Sequence, residues 1–130
     1  MKSFLIPFIA LLVIPFQAGS EHLKDKKKLV ITTQSAKESI SLAKHLTKKG
    51  IVKYSAYWCP NCLFQGELFG KEAYNELIIV ECARDGINSQ TQLCIDKNIT
   101  GFPSWEINGK IILGVQSLQD LAKESNFKGI

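Results

Sequence analysis

The stretch VKYSAYWCPNCLF, residues 52–64, places two cysteines three positions apart directly after a β-branched and aromatic run. Cysteines at this spacing can bind a metal, form a stabilising disulfide or exchange electrons. Whichever use applies, Cys59 and Cys62 mark the place where a strand ends and a compact site begins. The pair therefore constrains the fold more than any other feature of the chain.

The segments around the pair predict alternating strands and helices. Strands are predicted at 51–56, 77–80, 104–107 and 110–113, with a weaker first strand at 29–32. Ser35-Ala36-Lys37-Glu38 is a capping box that predicts a helix ending at Gly50. Further helices are predicted from the cysteine pair to about Glu76, after 89–92 and after a cap at 117–120.

Asn108-Gly109 lies between two apolar runs, which is the strongest short-range signal for a β-hairpin. The complete order is then (β)αβαβαββα. Strands that alternate with helices and finish in a hairpin and a helix predict an α/β fold, with a central mixed sheet flanked by helices on both faces.

The N-terminal residues 1–20 are predicted to be an export signal. Lys2 precedes an apolar run at 4–16, and Ala18-Gly19-Ser20 supplies small residues for cleavage. The apolar run is shorter than the roughly 20 residues needed to cross a bilayer, although an uncleaved N-terminal anchor is the alternative. Residues 21–34 form a basic spacer, and 35–130 form one domain.

Composition narrows the function classes. With 45% hydrophobic and 22% charged residues, the 130-residue chain can bury a core and is not a disordered segment. The net charge is +4, and lysines at 24 and 26–28 are better explained by a solvated spacer than by lipid binding. Basic and aromatic residues are not interleaved, so no nucleic-acid partner is expected. Export would place the four cysteines where disulfides persist.

The order of elements, with WCPNC at 58–62 and Phe102-Pro103-Ser104 later, resembles thioredoxin. The chain is more similar still to the thioredoxin-like domain that is fused to bacterial and plastid vitamin K epoxide reductase homologues. That similarity covers roughly residues 35–127 and rests on AYWCP at 56–60, ELFG at 67–70, VEC at 80–82 and INGK at 107–110. No spanning segment for the reductase itself follows residue 20.

The resemblance implies a thiol–disulfide oxidoreductase with a CPNC centre. Cys59 would be the attacking sulfur, partly exposed at a helix N-terminus that favours its thiolate. Cys62, one turn further in, would resolve the mixed disulfide. The site wall and substrate-binding surface would comprise Trp58, Pro60, Asn61, Phe102 and Pro103, with a cis Phe102–Pro103 bond that leaves backbone groups of Phe102 free for an extended substrate.

One residue departs from the thioredoxin pattern. Thioredoxin has a buried acid six residues before its first cysteine, and this acid accepts the proton of the resolving thiol. Lys53 occupies that place here, so a carboxylate base is unavailable and fast reductase chemistry is disfavoured. Glu81 could pair with Lys53, but an ordinary exposed salt bridge worth about 0.2–1 kcal/mol is at least as compatible with the sequence.

The resemblance also implies a second disulfide, between Cys82 and Cys94. A structural role is favoured because small exported domains commonly use such bonds. A relay that passes oxidising equivalents to Cys59 and Cys62 is the other reading.

Two alternatives to an enzyme stay open. A zinc site would need four thiolates, but only one of the two cysteine pairs has the short ligand spacing. A disulfide-stabilised binding module could use the fold as a scaffold only. His22 and His45 are expected to be solvated and give no support to a metal site.

These points lead to expectations about the protein's oligomeric state, its location and its partners. We expect a monomer without a cofactor or metal, which exchanges disulfides with exported proteins in the periplasm or thylakoid lumen. Its predicted membrane partner is an oxidase of the vitamin K epoxide reductase type.

Overall fold

The structure is a computed structural model that describes residues 27–130. The predicted export signal, the segment 21–26 and therefore His22 lie outside the described residues. Within 27–130, no helix is both long and apolar enough to cross a membrane.

The described chain forms a four-stranded mixed sheet with flanking helices. The helices are α1 Lys37–Lys48, α2 Pro60–Phe69, α3 Lys71–Tyr74, α4 Thr91–Asp96 and α5 Leu118–Glu124. The strands are β1 Val52–Ser55, β2 Ile78–Glu81, β3 Ser104–Ile107 and β4 Lys110–Leu113, in the order β2-β1-β3-β4. β1 runs parallel to β2 and antiparallel to β3. The predicted α/β class is confirmed, and the architecture is consistent with a thioredoxin-like fold.

The two faces of the sheet bury different side chains. Successive residues of a strand point to opposite faces, so Lys53 and its β3 partner Trp105 share one face. That face lies in the larger core, which α1, α3 and α5 cover with residues such as Leu42 and Leu121. Tyr54 and other apolar residues of the opposite face pack against α4 in a second cluster. Both faces are therefore covered, as the alternation of elements predicts.

One predicted turn and one predicted helix cap are confirmed. Asn108 and Gly109 have φ of 51° and 77°, the left-handed values that a type I′ hairpin requires, and they join β3 to β4. At the start of α5, the Ser117 hydroxyl accepts a hydrogen bond of 3.0 Å from the N–H of Asp120.

The predicted capping box at the start of α1 is wrong. The N-cap is Ala36, and no side chain caps the helix. The Ser35 hydroxyl instead accepts a hydrogen bond from the N–H of Ala73 at 2.9 Å, and the Ser35 N–H donates to the Glu72 carboxylate at 2.8 Å. Because the free donors of α3 lie within reach, Ser35 joins α3 to the chain before α1 and does not cap α1.

The predicted first strand at 29–32 is also absent. The backbone N–H groups of Thr32 and Thr33 donate to the Glu67 carboxylate on α2, at 3.0 and 2.8 Å. These backbone N–H groups are therefore bonded to a helix side chain, and they are not available for the hydrogen bonds between neighbouring strands. The segment lies against α2, since a Cβ on Gly66 would come within 2.4 Å of the Ile31 side chain.

The single helix predicted from the cysteine pair to Glu76 is two helices. α2 ends at Phe69, and Gly70 adopts φ 86° and ψ 162° before α3 begins. This backbone region is essentially restricted to glycine. An added Cβ on Gly70 would also lie 2.6 Å from the Cα and N atoms of Ser35.

Gly70→Ala is therefore expected to destabilise the protein by about 3 kcal/mol, because backbone strain is combined with a collision against backbone. Gly109→Ala is the matched control. Gly109 also has positive φ but nothing lies within 4 Å of its added Cβ, so about 1 kcal/mol is expected there. Urea unfolding measures both. Equal losses in the two variants would contradict the close approach at Gly70.

Glu67 should make the free energy of unfolding depend on pH in the acid range. Hydrogen bonds from the Thr33 side chain and from the N–H groups of Thr32 and Thr33 lower its pKa from 4.5 to about 2. A lowered pKa means that the carboxylate stabilises the folded state above about pH 4.5. This stabilisation is lost as the pH falls towards 2. Glu67→Gln should flatten the dependence of the urea midpoint on pH in this window. An unchanged acid slope in Glu67→Gln would refute the role of these bonds.

Candidate functional site

The cysteine pair lies at the junction of β1 and α2. Cys59 is the N-cap of α2, with extended φ and ψ of −82° and 116°, and Pro60 occupies the first helical position. Proline is favoured there because that N–H would have no helical partner. The Cys59 sulfur accepts a hydrogen bond from the N–H of Cys62 at 3.2 Å. The side chain that caps the helix is thus itself the candidate nucleophile.

The two sulfurs differ in accessibility, and both are reduced thiols. Cys59 is 6% exposed and Cys62 is fully buried. Cys59 is therefore less exposed than the sequence predicted, because Ala56, Ala83 and Phe102 pack around the pair. Cys59 remains the sulfur nearer to solvent, as an attacking group must be.

The segment before β3 completes the site. The Phe102–Pro103 peptide bond is cis, and the Cys59 thiol lies 3.5 Å from the Phe102 carbonyl oxygen, to which it can donate. β1 and β3 are antiparallel, and Tyr54 pairs with Ser104. The end of β1 and the start of β3 therefore meet at one edge of the sheet, which brings distant parts of the sequence to one place.

The rim of the site is apolar and open. Trp58 is 60% exposed and makes an edge-to-face contact with Phe102, with ring centroids 6.0 Å apart. Pro60 and Asn61 are exposed in the first turn of α2, and Phe64 in the next turn is 57% exposed. Pro103 is fully buried, so of the predicted wall residues it supports the site from behind and is not part of the surface.

Lys53 lies behind the pair and is 0% exposed. The prediction that it makes an ordinary exposed salt bridge is wrong. Its Nζ donates a hydrogen bond of 3.2 Å to the Cys62 carbonyl oxygen and lies 4.9 Å from the centre of the Tyr74 ring. Burial lowers the pKa of Lys53 to about 8, against the opposing attraction of Cys62, Cys59 and Glu81.

Burial has the opposite effect on Cys62, whose pKa is raised to about 11. The hydrogen bond with Cys59 raises it further, while Ser55, the Ala56 backbone and the Lys53 charge lower it. The resolving thiol is therefore held protonated, and it needs a partner for its proton if it is to attack a disulfide.

Sequence reasoning missed Tyr74 and the backbone donors that bind the Glu81 carboxylate. The Glu81 Oε1 accepts hydrogen bonds from the N–H groups of Tyr57 at 3.3 Å and Ala83 at 2.8 Å. Burial raises the pKa of this carboxyl, and those backbone donors lower it. Tyr74 could not be found from the helical pattern, because its position depends on the break at Gly70.

The second pair of cysteines forms the predicted disulfide. The Cys82 and Cys94 sulfurs are 2.01 Å apart and their Cα atoms 5.8 Å apart. Cys82 follows β2 and Cys94 lies on α4, so the bond ties that helix to the sheet. Both residues are buried in the second core cluster beside Tyr54 and Val80. This placement favours the structural reading over the relay, since neither sulfur is open to a partner protein.

Among residues 27–130, no group of three or more histidine, cysteine or acidic side chains could hold a metal ion. The bonded Cys82 and Cys94 also cannot supply the thiolates that the zinc alternative requires. His45 is half-buried, contrary to the prediction that it is solvated. Its Nε2 lies 2.7 Å from the Ser125 carbonyl oxygen, and its ring contacts Phe127 at 5.1 Å.

The chain is similar in sequence to a known thiol-disulfide oxidoreductase. No protein-family model matches the chain. Over 117 residues it is 44% identical to the thiol-disulfide oxidoreductase LTO1 of Arabidopsis thaliana, which covers 88% of this chain and 31% of that protein. The chain thus spans about a third of the length of this curated relative. Together with the fold, the similarity supports a thioredoxin-like family.

Proposed function

We propose that this protein catalyses thiol–disulfide exchange through Cys59 and Cys62, and that it acts as an oxidant of exported proteins. The observation that carries the proposal is the position of the Cys59 sulfur. It caps α2, accepts the Cys62 N–H at 3.2 Å and lies 3.5 Å from the Phe102 carbonyl oxygen. Similarity to a protein named as a thiol-disulfide oxidoreductase supports the same chemistry.

The exchange proceeds in two displacements. A substrate thiolate attacks the Cys59 sulfur of the oxidised pair, and Cys62 leaves with the bonding electrons as a thiolate that takes up a proton. A second substrate thiolate then attacks the substrate sulfur of the mixed disulfide and releases Cys59. The substrate loses two electrons and gains a disulfide, and the Cys59–Cys62 pair is reduced to two thiols.

The exposed apolar rim fits an unfolded or extended substrate. Trp58 and Phe64 are 60% and 57% exposed, and they lie on either side of the cysteine pair in the sequence. Exposed aromatic side chains beside a reactive centre provide apolar contact area that does not depend on one substrate sequence. The substrate class is accordingly exported proteins with free thiols, which a monomer can bind one at a time.

The proposed oxidant is a separate membrane enzyme of the vitamin K epoxide reductase type. The sequence resemblance to domains fused to such enzymes supports this partner, as does an export signal that would bring the chain to the periplasm or thylakoid lumen.

Reconstitution tests the proposal. The oxidised protein should introduce disulfides into a reduced, unfolded secretory protein, and the reduced protein should be re-oxidised by the membrane enzyme with quinone. Mass spectrometry of the Cys59–Cys62 peptide follows both steps. No re-oxidation, together with rapid reduction by a membrane thiol-reducing system, would make the protein a reductase or isomerase. The absence of any exchange would favour a non-catalytic binding module.

A further inference from the structure

The most unusual feature outside the cysteine pair is the complete burial of Lys53. A lysine is almost never fully buried without a partner for its charge. Lys53 makes a single hydrogen bond from its Nζ among the described residues, to the Cys62 carbonyl oxygen at 3.2 Å. The Tyr74 ring, 4.9 Å away, provides a second but weaker partner. The side chain is therefore held against the backbone of the resolving cysteine.

Every titratable group that faces Lys53 belongs to the site or borders it. Cys62 and Cys59 face it from α2, Glu81 from β2 and Tyr74 from α3, and Ser55 lies two residues along β1 on the same face of the sheet. Ser55 pairs with Glu81, and Lys53 pairs with Ile79, so the acid also lies on this face. In this cluster Lys53, Cys62 and Ser55 are fully buried, whereas Tyr74 and Glu81 are half-buried.

A cleft borders this cluster, and neither Trp58 nor Phe64 of the substrate rim lines it. The cleft has a volume of about 460 Å³ and lies between the segment at 28–31, α3 and the edge strand β2. Tyr74, Ile79 and Glu81 are among its lining residues. Two of the groups that face Lys53 therefore border a solvent-filled space, through which a proton can leave or enter without crossing the bound substrate.

We propose that Lys53 is the proton donor and acceptor of Cys62. In this proposal, the Glu81 carboxylate favours the charged form of Lys53, and the cleft beside Tyr74 connects the cluster to solvent. This inference rests on the proposed function. It gives Lys53 the task that a buried carboxylate performs in thioredoxin, with the opposite charge.

The proton transfers balance in both directions. When a substrate thiolate attacks Cys59, Cys62 leaves as a thiolate and Lys53 in its ammonium form gives it a proton, so that a neutral amine and a thiol remain. When a mixed disulfide on Cys59 closes, neutral Lys53 takes the proton of Cys62. The Cys62 thiolate then displaces the substrate thiolate and forms the Cys59–Cys62 bond.

A single-turnover experiment isolates the Cys62 step. The reduced protein is converted to a mixed disulfide between Cys59 and glutathione, and release of glutathione is followed from pH 5 to 11. Lys53→Met retains the length and apolar stem of the side chain. At pH 7 it should slow closure at least about tenfold, since general acid–base catalysis typically contributes a hundredfold or more. Its pH profile should shift to higher pH, because Cys62 must then ionise without a base.

A second variant should shift the pH profile of closure in the opposite direction. Glu81→Gln keeps an oxygen for the N–H groups of Tyr57 and Ala83 but removes the charge that raises the pKa of Lys53. Its closure profile should shift to lower pH. Lys110→Met on the exposed edge of β4 is the control and should match wild type.

The outcomes separate the two proposals. A wild-type protein that releases no glutathione at any pH would refute the proposed function, and this inference with it. If the wild type closes normally but Lys53→Met has the same closure rate and pH profile, the inference alone is overturned. If Lys53→Met does not fold, an unshifted profile in Glu81→Gln overturns it.

Discussion

Cys59→Ser is expected to abolish disulfide exchange, lowering kcat/KM at least about a thousandfold, because removing an enzyme's nucleophile costs that much or more. Cys62→Ser should lose turnover as well, but for a different reason. Cys59 can still attack, and without a resolving thiol the protein should accumulate mixed disulfides with its substrates. Non-reducing electrophoresis and peptide mass spectrometry measure both results.

The difference between these variants identifies the role of each sulfur. Both should unfold at about the wild-type urea concentration, because neither cysteine is in a disulfide in the reduced protein. Mixed disulfides in Cys59→Ser but not in Cys62→Ser would reverse the assignment. That result would also contradict the accessibility of the pair, since Cys62 is fully buried and Cys59 is not.

Removing the second disulfide is expected to give a large loss of stability. Cys82 and Cys94 are separated by 12 positions, and closing a loop of this size stabilises the folded state by about 3 kcal/mol in the chain-entropy account. The Cys82→Ser/Cys94→Ser variant should therefore melt roughly 10–20 °C lower than the wild type. Calorimetry of the two oxidised proteins measures the difference, and an unchanged melting temperature would contradict a structural role.

The same double variant separates a structural bond from a redox relay. Both cysteines are buried beside Tyr54 and Val80, so neither sulfur is open to a partner protein. Below its melting temperature, the variant should thus oxidise substrate thiols at the wild-type rate. Loss of turnover in a variant that is still folded would favour the relay.

Local patterns predicted most of the fold. The strands around the cysteine pair, the Asn108-Gly109 hairpin and the Ser117 cap are encoded by neighbouring residues, so the sequence alone was sufficient to find them. The failures share a cause. Ser35 and Thr32 have hydrogen-bonding groups that bind α3 and Glu67, which are distant in sequence, and local rules assign those groups to nearby backbone.

The site was predicted in part for the same reason. WCPNC, Phe102-Pro103 and the cysteines at 82 and 94 are visible as residues, but their approach at one edge of the sheet depends on the strand order β2-β1-β3-β4. The burial of Lys53 follows from the central position of β1 and from α3, which places Tyr74 next to it only because Gly70 breaks the helix. No spacing pattern encodes that contact.

The reduction potential of the Cys59–Cys62 pair tests the central claim most directly. The protein is equilibrated with glutathione buffers of defined ratio, and the fraction of Cys59–Cys62 disulfide is quantified by alkylation and mass spectrometry. A protein that oxidises exported thiols should have a potential between about −120 and −200 mV, on the oxidising side of the thioredoxin value. A potential near about −270 mV would contradict the account and identify a reductant.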